Sequence, residues 1–248
     1  MKVSIVTVCY NSEKTISDTL DSLESQTYQD IEYLVIDGAS SDNTVELVNK
    51  NSSRVSKIIS ERDTGIYDAL NKGIKASTGD VVGFLHSDDL FASATVIEDV
   101  VAKFKETDSD AVYGDLKYVA QHDISKVIRL WKSGEYNIKL IKRGWMPPHP
   151  TFFMKRELYE KFGCFDLNFK IAADYDSLLR YLWVNKISIS YLPEVLTLMR
   201  VGGESNRSLS NIIQKTTEDI AALKKNNVPV ISAIIWKNLS KIPQFVFK

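Results

Sequence analysis

Two adjacent acidic residues, Asp88 and Asp89, follow an apolar run from Val81 to Leu85 that is typical of a buried strand. Adjacent carboxylates at the end of a strand repel each other, and their charge is costly unless a cation or hydrogen-bond donors offset it. A hard divalent cation, Mn2+ or Mg2+, with diphosphate oxygens completing its coordination shell would satisfy both carboxylates. A helix N-cap with an exposed neighbour is the alternative, and the pair by itself does not distinguish the two.

Polar side chains end the other predicted strands of the first half in the same way. Asn11, Asp37 and Asp63 lie at or shortly after the ends of three predicted strands. Because ligands bind beyond the carboxyl ends of parallel strands, we expect these residues and the acid pair to share one site. An Asp carboxylate can accept the imide N–H of uracil, which adenine and cytosine lack, so Asp37 is a candidate for selecting the base. An Asx-type turn before Gly38 is the alternative role for this residue.

Asp174 and Asp176 open a predicted helix in the second half of the chain. A hydroxyl that attacks a carbon centre must lose its proton, and a nearby carboxylate serves as the general base. Acidic residues are also favoured at helix N-termini as caps, so capping is the alternative role. From the residues alone, Asp174 and Asp176 are equal candidates for the base.

The order of the predicted elements explains how these residues could meet. Strands alternating with helices in the first half indicate βαβ units and a mainly parallel sheet, whereas the second half has antiparallel character. We therefore expect an α/β fold with a Rossmann-like, mainly parallel central sheet flanked by helices, and a smaller antiparallel portion. The predicted elements are strands Val3 to Cys9, Tyr33 to Ile36, Val55 to Ile59, Val81 to Leu85, Ala111 to Tyr113, Ile187 to Leu192 and Val195 to Met199, antiparallel strands within Leu116 to Arg129, and helices Ile66 to Ala76, Ser93 to Lys105, Glu157 to Phe162, Asp174 to Asn185 and Leu209 to Asn226.

The composition excludes several classes of protein. A formal net charge of −1 over 248 residues argues against a nucleic-acid binder, which would carry a basic excess. The two cysteines, Cys9 and Cys164, form no paired motif and fit a reducing cytoplasm. Neither a signal peptide nor an apolar stretch of about 18 residues is present, so we expect a cytoplasmic protein.

The C-terminal segment 224–248 is basic and amphipathic. It contains five lysines and no acidic residue, interleaved with aliphatic and aromatic residues that include Trp236. Basic residues beside Trp and aliphatic side chains are typical of peptides that lie on an anionic membrane surface. A helix docked on the body of the protein is an equally good interpretation, so peripheral contact with the cytoplasmic membrane face is one of two expectations for this segment.

Taken in order along residues 1 to 205, five segments of the chain resemble the glycosyltransferases of family 2, which have the GT-A fold. The relatives that look most similar build colanic acid, O-antigen or similar surface polysaccharides. The segments are Ser4 to Val8 with Tyr10-Asn11, Val35 to Thr44, Asp63 to Gly73, Gly79-Asp80 with Phe84 to Asp89, and Ala172 to Asp176 with Arg180.

The resemblance implies a role for each candidate. Asp174 matches the catalytic base, Asp89 a metal ligand, and Asp88 a residue that touches the ribose or the metal. His86 stands where the family often has a carboxylate, which bears on metal affinity and on the choice between Mn2+ and Mg2+. Thr7 and Asp37 match positions that contact the nucleobase, usually uracil, and Asp63 and Asn11 also match positions on the nucleotide. His149 and Asp176 match positions that contact the acceptor or the diphosphate. Arg200, with Gly202, Gly203 and Ser205, matches a flexible loop that closes over the diphosphate, and a surface Arg beside a turn is the alternative.

The function implied is transfer of a sugar from a nucleotide-diphosphate donor, UDP first among them, to a hydroxyl of a lipid-linked or saccharide acceptor. The implied reaction is inverting and metal-dependent, as a hexosyltransferase of surface-polysaccharide synthesis. Residues 1–115 would bind the donor, 116–208 would bind the acceptor and carry the base, and 209–248 would form the tail. A sugar nucleotidyltransferase and a non-catalytic sugar-nucleotide binder are the alternatives, whereas a dehydrogenase is disfavoured because no G-x-G-x-x-G follows the first strand.

Overall fold

The computed structural model describes residues 1–202 and 209–239. Its first half alternates strands and helices, as the sequence predicts, and adds a short strand directly after the acid pair. The strands are β1 Val3–Cys9, β2 Ile31–Asp37, β3 Val55–Ser60, β4 Val81–Phe84 and β5 Leu90–Phe91, and the helices are α1 Ile16–Glu24, α2 Thr44–Asn51, α3 Ile66–Ala76 and α4 Val96–Thr107.

The second half combines longer strands with helices at its end. A 3-10 turn, His149–Thr151, and a π-helical segment, Arg180–Val184, interrupt the regular elements. The strands are β6 Ala111–Ala120, β7 Asp123–Trp131, β8 Phe153–Lys155 and β9 Ile189–Arg200, and the helices are α5 Ile138–Ile141, α6 Arg156–Phe162, α7 Ala173–Leu179, α8 Leu209–Lys225 and α9 Val230–Leu239.

The nine strands within the described residues belong to one sheet with the order β3-β2-β1-β4-β8-β6-β9-β5, and β7 pairs with β6. The strands β3, β2, β1 and β4 are parallel, which places their carboxyl ends at the same edge. From β4 onward the pairing changes, because β8 is antiparallel to both β4 and β6. The predicted α/β class is therefore confirmed, and the antiparallel portion continues the parallel sheet.

Both faces of the sheet are covered by apolar helices, which explains the nearly continuous apolar sequences of β1, β2 and β4. Leu20 of α1 and Val100 of α4 belong to one buried cluster. Leu70 of α3 and Leu178 of α7 belong to the cluster on the opposite face. Because each fully buried aliphatic side chain contributes about 1.5–3 kcal/mol, the two clusters hold the strands, and with them the polar residues at the strand ends.

One long strand, β9, replaces the two strands predicted on either side of Pro193. The sequence Leu192-Pro193-Glu194 suggests a turn because Pro cannot donate to a sheet. In the structure β9 passes this point with a register shift, since Tyr113 of β6 pairs with Tyr191 and Asp115 pairs with Val195. The irregularity absorbs the missing N–H, so the Pro marks a bulge and not a strand end.

The C-terminal helices pack against the body. Ala233 and Lys237 of α9 are buried, as are Ala222 and Leu223 of α8, so the docked interpretation holds for this part of the tail. Residues 240–248 lie outside the described part of the chain. No helix among the described residues is both long and apolar enough to cross a bilayer.

Candidate functional site

The loops after β1, β2 and β3 converge at Gly38. A β-carbon placed on Gly38 would lie 2.7 Å from Asp63 Oδ2 and 3.4 Å from Tyr10 Cδ2, so a larger residue here would displace the Asp63 carboxylate. Asp63 accepts a hydrogen bond from the Gly65 N–H at 2.9 Å, which fixes the turn that leads into α3. Tyr10 is 66% exposed, an unusual state for a large aromatic residue at the end of a buried strand.

Asn11 connects the first two loops through both its backbone and its side chain. Its N–H donates to Ser40 Oγ at 2.8 Å, and its side-chain oxygen accepts from the Ser41 N–H at 2.9 Å. Its φ of 50° lies in the left-handed region, which Asn tolerates better than most residues. The structure therefore gives Asn11 a clear role in shaping the edge of the site.

In the structure Asp37 lies inside the turn before Gly38, which is the alternative role considered for this residue. Its carboxylate is fully buried and accepts hydrogen bonds from the Ser40 N–H at 3.0 Å, the Ser40 hydroxyl, and Ser60 Oγ at 2.6 Å. In this conformation its oxygens face the turn and not an open surface. In the described structure Asp37 forms an Asx-type turn that holds Gly38 in place, and selection of a base by Asp37 stays a prediction.

Thr7 also lies behind the site and not at its surface. Its side chain is fully buried, donates to the Leu85 carbonyl at 2.6 Å, and accepts from the Tyr33 hydroxyl at 3.0 Å. The hydroxyl is engaged inside the core, and the expected contact of Thr7 with a base stays a prediction. Thr7 supports the end of β4, where the acid pair begins.

The acid pair sits in the loop between β4 and β5, and its two members differ in exposure. Asp88 is half-buried, whereas Asp89 is 1% exposed. Asp89 Oδ1 accepts from the Arg200 N–H at 3.3 Å, while its Oδ2 is buried and has no hydrogen-bond partner among the described residues. Burial raises the pKa of Asp89 well above its ordinary value, and the neighbouring Asp88 carboxylate adds to the shift.

Backbone contacts fix the acid loop against the rest of the site. The Asp89 N–H donates to the His86 carbonyl at 3.0 Å, and Thr19 Oγ1 donates to the Asp89 carbonyl at 2.8 Å. Ser87 Oγ lies 2.9 Å from Ser12 Oγ in the loop after β1. The acid loop and the loop of Asn11 are therefore in contact through these two serines.

Arg200 is the last residue of β9 and is 6% exposed, which corrects its predicted position in a flexible loop. Its guanidinium donates to the Asp88 carbonyl at 3.0 Å and forms an ion pair with Asp18 at 2.5 Å. Because both ends of these contacts are fixed, Arg200 locks the acid loop in place. Gly203 and Ser205, the other predicted loop residues, lie outside the described part of the chain.

Asp174 lies in the first turn of α7 and is half-buried. Its Oδ1 accepts from the Tyr175 N–H at 2.8 Å and lies 3.2 Å from the Tyr67 hydroxyl. Burial raises the pKa of Asp174 above its ordinary value, which brings a carboxylate closer to the range of an effective general base. Both the position and the proton affinity of this group suit proton removal from a hydroxyl.

Tyr118 of β6 lies within electrostatic reach of both Asp89 and Asp174. Burial raises the pKa of Tyr118, the Arg129 guanidinium opposes the shift, and the charges of Asp89 and Asp174 both add to it. The Arg129 guanidinium lies 4.8 Å from the centre of the Tyr118 ring and 5.4 Å from that of Trp131. The β6–β7 hairpin therefore forms one side of the site, which the alternating sequence of these strands did not reveal.

Asp176 is a structural residue, which corrects its predicted contact with acceptor or diphosphate. Its carboxylate is fully buried and accepts from Asn226 Nδ2 at 2.9 Å, Lys225 Nζ at 3.0 Å and Arg180 Nη1 at 3.2 Å. These contacts attach α7 to the end of α8. Both oxygens of Asp176 already accept hydrogen bonds inside the core, whereas Asp174 is half-buried.

Replacing Asp176 with alanine should mainly lower stability. The change leaves Arg180 without its buried counter-charge and leaves Lys225 with Asp166 as its remaining partner, a loss of about 3 kcal/mol that corresponds to a fall of about 6–12 °C in melting temperature for a chain of this size. Differential scanning calorimetry measures this directly. Glu157→Ala on the exposed side of α6 is the control, and an Asp176 variant that melts with the wild type would contradict the assignment.

His149 and His86 bring two imidazole rings to the base of the acid loop. Their ring centres are 6.1 Å apart, and His149 stacks on Phe84 at 5.1 Å. Burial lowers the pKa of both residues, that of His149 to about 3, so both rings are neutral. His149 Nε2 and His86 Nδ1 are buried and have no hydrogen-bond partner in the part of the chain that the structure describes.

A complete protein metal cage is absent from the described residues, where no group of three or more His, Cys, Asp or Glu side chains could hold an ion. The acid pair could supply two carboxylates, and an orphaned, buried oxygen on Asp89 fits a cation as its partner. Any ion bound there would need further oxygen ligands from a bound molecule and from water.

Comparisons with known proteins agree on one family. The family model described as "Glycosyl transferase family 2" matches residues 4–164, more than half of the chain. A curated relative, "PGL/p-HBAD biosynthesis glycosyltransferase" from Mycobacterium bovis, is 30% identical over 210 residues, which is 82% of this chain and 78% of the relative.

Solved structures share the fold at lower sequence identity. The crystal structure of S. aureus TarS 1-349 in complex with UDP-GlcNAc has a TM-score of 0.72 at 22% identity and covers 94% of this chain and 69% of that chain. The mannosyltransferase PcManGT from Pyrobaculum calidifontis, in complex with GDP-Man and Mn2+, has a TM-score of 0.67 at 18% identity and covers 99% of this chain and 73% of that chain. The two structures support the predicted GT-A architecture.

Proposed function

The chain belongs to glycosyltransferase family 2, and we propose that it moves a sugar from a UDP-linked donor to a hydroxyl acceptor by an inverting, metal-dependent displacement. The observation that carries this proposal is the buried Asp89 carboxylate, which has one oxygen unpartnered among the described residues and lies beside Asp88. A buried carboxylate with an unpartnered oxygen, next to a second carboxylate, would be stabilised by a bound cation. A diphosphate is a ligand that brings further oxygens to such a cation and also leaves in a sugar transfer.

Asp88 and Asp89 would hold the divalent ion together with the diphosphate of the donor. When bound, the ion offsets the negative charge that grows on the departing diphosphate, a contribution of several kcal/mol. Arg200 acts from behind, because its contact with the Asp88 carbonyl keeps the loop in register. Because His86 takes the place of a third carboxylate, the loop carries less negative charge. We expect this to lower the affinity of the loop for the ion before the donor binds.

Asp174 would take the proton from the acceptor hydroxyl. The oxygen then attacks the anomeric carbon, the bond from this carbon to the diphosphate oxygen breaks, and the nucleoside diphosphate leaves with the bonding electrons. Attack from the face opposite the leaving group inverts the anomeric centre. The Tyr175 N–H holds the carboxylate in place, and burial keeps its affinity for the proton high.

The surface around Gly38 would bind the nucleobase. Tyr10 offers an exposed ring for stacking, and Asp63 offers a carboxylate for hydrogen bonding at the same point. Asn11 and Asp37 shape this surface through the loops they hold. UDP is our choice of nucleotide because the TarS structure, which shares the fold, is a complex with UDP-GlcNAc.

Replacing Tyr10 with alanine should weaken UDP binding about 5- to 100-fold, because stacking of a base on an aromatic ring contributes about 1–3 kcal/mol. Isothermal titration calorimetry with UDP gives the affinity. Tyr10→Phe retains the ring and should bind within about twofold of the wild type. Equal affinity in the alanine variant would remove Tyr10 from the base site.

The acceptor would lie on the side of the β6–β7 hairpin, where the charges of both carboxylates act on Tyr118 and Arg129 packs on the Tyr118 ring. His149, neutral and unpartnered in the described structure at Nε2, could donate to the acceptor or the diphosphate. In this scheme residues 1–115 bind the donor and residues 116–208 bind the acceptor. We propose a lipid-linked or saccharide acceptor of cell-surface polysaccharide synthesis, with segment 224–248 in contact with the cytoplasmic membrane face.

A screen of sugar nucleotides tests the proposed function. UDP-, GDP-, CDP- and dTDP-sugars are compared by thermal shift with and without Mn2+, followed by an assay for release of the nucleoside diphosphate. At a ligand concentration of about 100 Kd, a UDP-sugar should raise the melting temperature by about 5–10 °C, and only with metal. If no sugar nucleotide stabilises the protein or is consumed, the proposal fails.

A further inference from the structure

A basic cavity lies beside α5. It has a volume of about 410 Å3 and is lined by Ile138, Lys139, Lys142, Trp183 and Lys186. Lys142 Nζ lies 5.6 Å from the centre of the Trp183 ring, which draws the π-helical segment toward α5. Three lysines and one Trp around a single hollow form a concentration of positive charge outside the proposed transfer site.

Helix α9 extends this surface. Ser232 Oγ donates to the Lys142 carbonyl at 2.9 Å, and the Arg143 guanidinium lies 5.4 Å from the Trp236 ring. A β-carbon at Gly144, where φ is +68°, would lie 2.4 Å from the Ala233 carbonyl oxygen, so the glycine permits this close packing. The cavity and the outer face of α9 are therefore one continuous surface.

We call this surface the basic-aromatic face. Its outer apolar residues are unusually exposed, with Ile231 at 77%, Ile235 at 53% and Trp236 at 48%. Its cations Lys139, Lys142, Arg143 and Lys186 form no ion pair within residues 1–202 and 209–239. No acidic residue occurs in the three segments that build the face, 136–148, 180–188 and 224–239.

We infer that the basic-aromatic face docks on a bilayer that contains anionic phospholipid. The lysines would contact headgroup phosphates, and Ile231, Ile235 and Trp236 would enter the interfacial layer. Exposed aliphatic side chains beside lysines fit a lipid surface better than a nucleic acid, which would use the cations and the aromatic ring but gain little from isoleucine. The proposed membrane contact therefore extends beyond segment 224–248, because the basic-aromatic face also includes α5 and Trp183.

The inner side of α9 connects this face to the catalytic helix. Lys237 forms a buried ion pair with Asp219 at 2.9 Å and lies 3.4 Å from the centre of the Tyr175 ring. Tyr175 directly follows Asp174. A bilayer on the outer side of α9 would thus lie one helix away from the proposed base, where a lipid-linked acceptor could be reached.

Co-sedimentation with sucrose-loaded vesicles tests the inference on the full chain. The wild type should bind vesicles of phosphatidylcholine with about 30% phosphatidylglycerol and should not bind phosphatidylcholine alone. The triple variant K139E/K142E/K186E should lose on the order of 100-fold in partition coefficient, or about fivefold per lysine. The matched control is K50E/K57E/K105E, which makes the same charge change at exposed lysines elsewhere and should bind nearly as well as the wild type.

A second pair of variants tests the apolar contribution independently. I231S/I235S should weaken binding at least about tenfold, whereas I212S/I213S, which removes two exposed isoleucines from α8, should not. Circular dichroism confirms that each variant is folded. Absence of vesicle binding by the wild type, or equal losses in the test and control variants, would overturn the inference. Because the readout is binding and not turnover, either outcome leaves the proposed sugar transfer to be judged separately.

Discussion

Replacing Asp174 with asparagine is expected to lower turnover by about 10²- to 10⁴-fold, the contribution typical of a general base. The amide keeps the shape of the side chain and can still accept from the Tyr175 N–H, but it cannot take a proton. Donor binding should stay near the wild-type value, because the substitution keeps the shape of the side chain and leaves the acid pair unchanged. The rate is measured as release of nucleoside diphosphate from the sugar nucleotide that gives the largest thermal shift.

The pH dependence provides a second measure of the same role. Burial raises the pKa of Asp174, and only the deprotonated form is a base, so kcat should fall as the pH decreases through this raised pKa. In the pH dependence of kcat, the fall on the acidic side should therefore occur above the ordinary range of aspartate pKa values. This fall should be absent from the residual activity of Asp174→Asn. A variant with a near-normal rate, or one that has lost UDP affinity as well, would remove Asp174 from its role as base.

Replacing Asp89 with asparagine should lower UDP affinity in the presence of Mn2+ on the order of 100-fold, because the carboxylate is the ligand buried deepest in the acid loop. Asp88 alone would leave the ion with too few negative ligands. Without metal, the wild type and the variant should bind UDP equally weakly. Isothermal titration calorimetry distinguishes these four conditions, and Asp110→Asn, a substitution of the same kind at the start of β6, serves as the control.

The same substitution should stabilise the metal-free protein. The raised pKa of Asp89 means that folding favours the neutral carboxyl, so the stability it contributes is present at low pH and is lost as the pH rises through the folded pKa. At neutral pH the buried charge is therefore a cost, which asparagine avoids. We expect the variant to melt a few degrees higher than the wild type in the presence of a chelator, and Mn2+ with UDP to raise only the wild-type melting temperature.

The sequence predicted the parallel half well because its signals are local. Continuous apolar runs define β1, β2 and β4, and the polar residues after them lie at one edge, as βαβ connections require. Contacts made across the sheet were not predictable in this way. The irregularity at Pro193 depends on the register of β9 against β6, which only the folded chain establishes.

For the site residues as well, local sequence identified the candidates, whereas contacts in the folded chain distinguish between them. Asp174 and Asp176 are two positions apart and chemically identical, yet Asp176 is saturated by Lys225, Arg180 and Asn226, two of which come from a distant part of the chain. A motif identifies residue types, whereas burial and partners decide which oxygen remains available. Arg200 illustrates the same limit, since its position after the predicted strand Val195 to Met199 suggested a loop, whereas its contacts with Asp18 and Asp88 place it inside the fold.

Titration of Mn2+ followed by electron paramagnetic resonance tests the central claim most directly. Free Mn2+ gives a six-line spectrum that broadens when the ion is bound, so the signal should disappear on addition of wild-type protein with UDP. With Asp89→Asn and UDP at the same concentrations, the free-ion signal should remain as it is with UDP alone. A signal that disappears equally with both proteins would show that the ion is held elsewhere, and would contradict the role assigned to the acid pair.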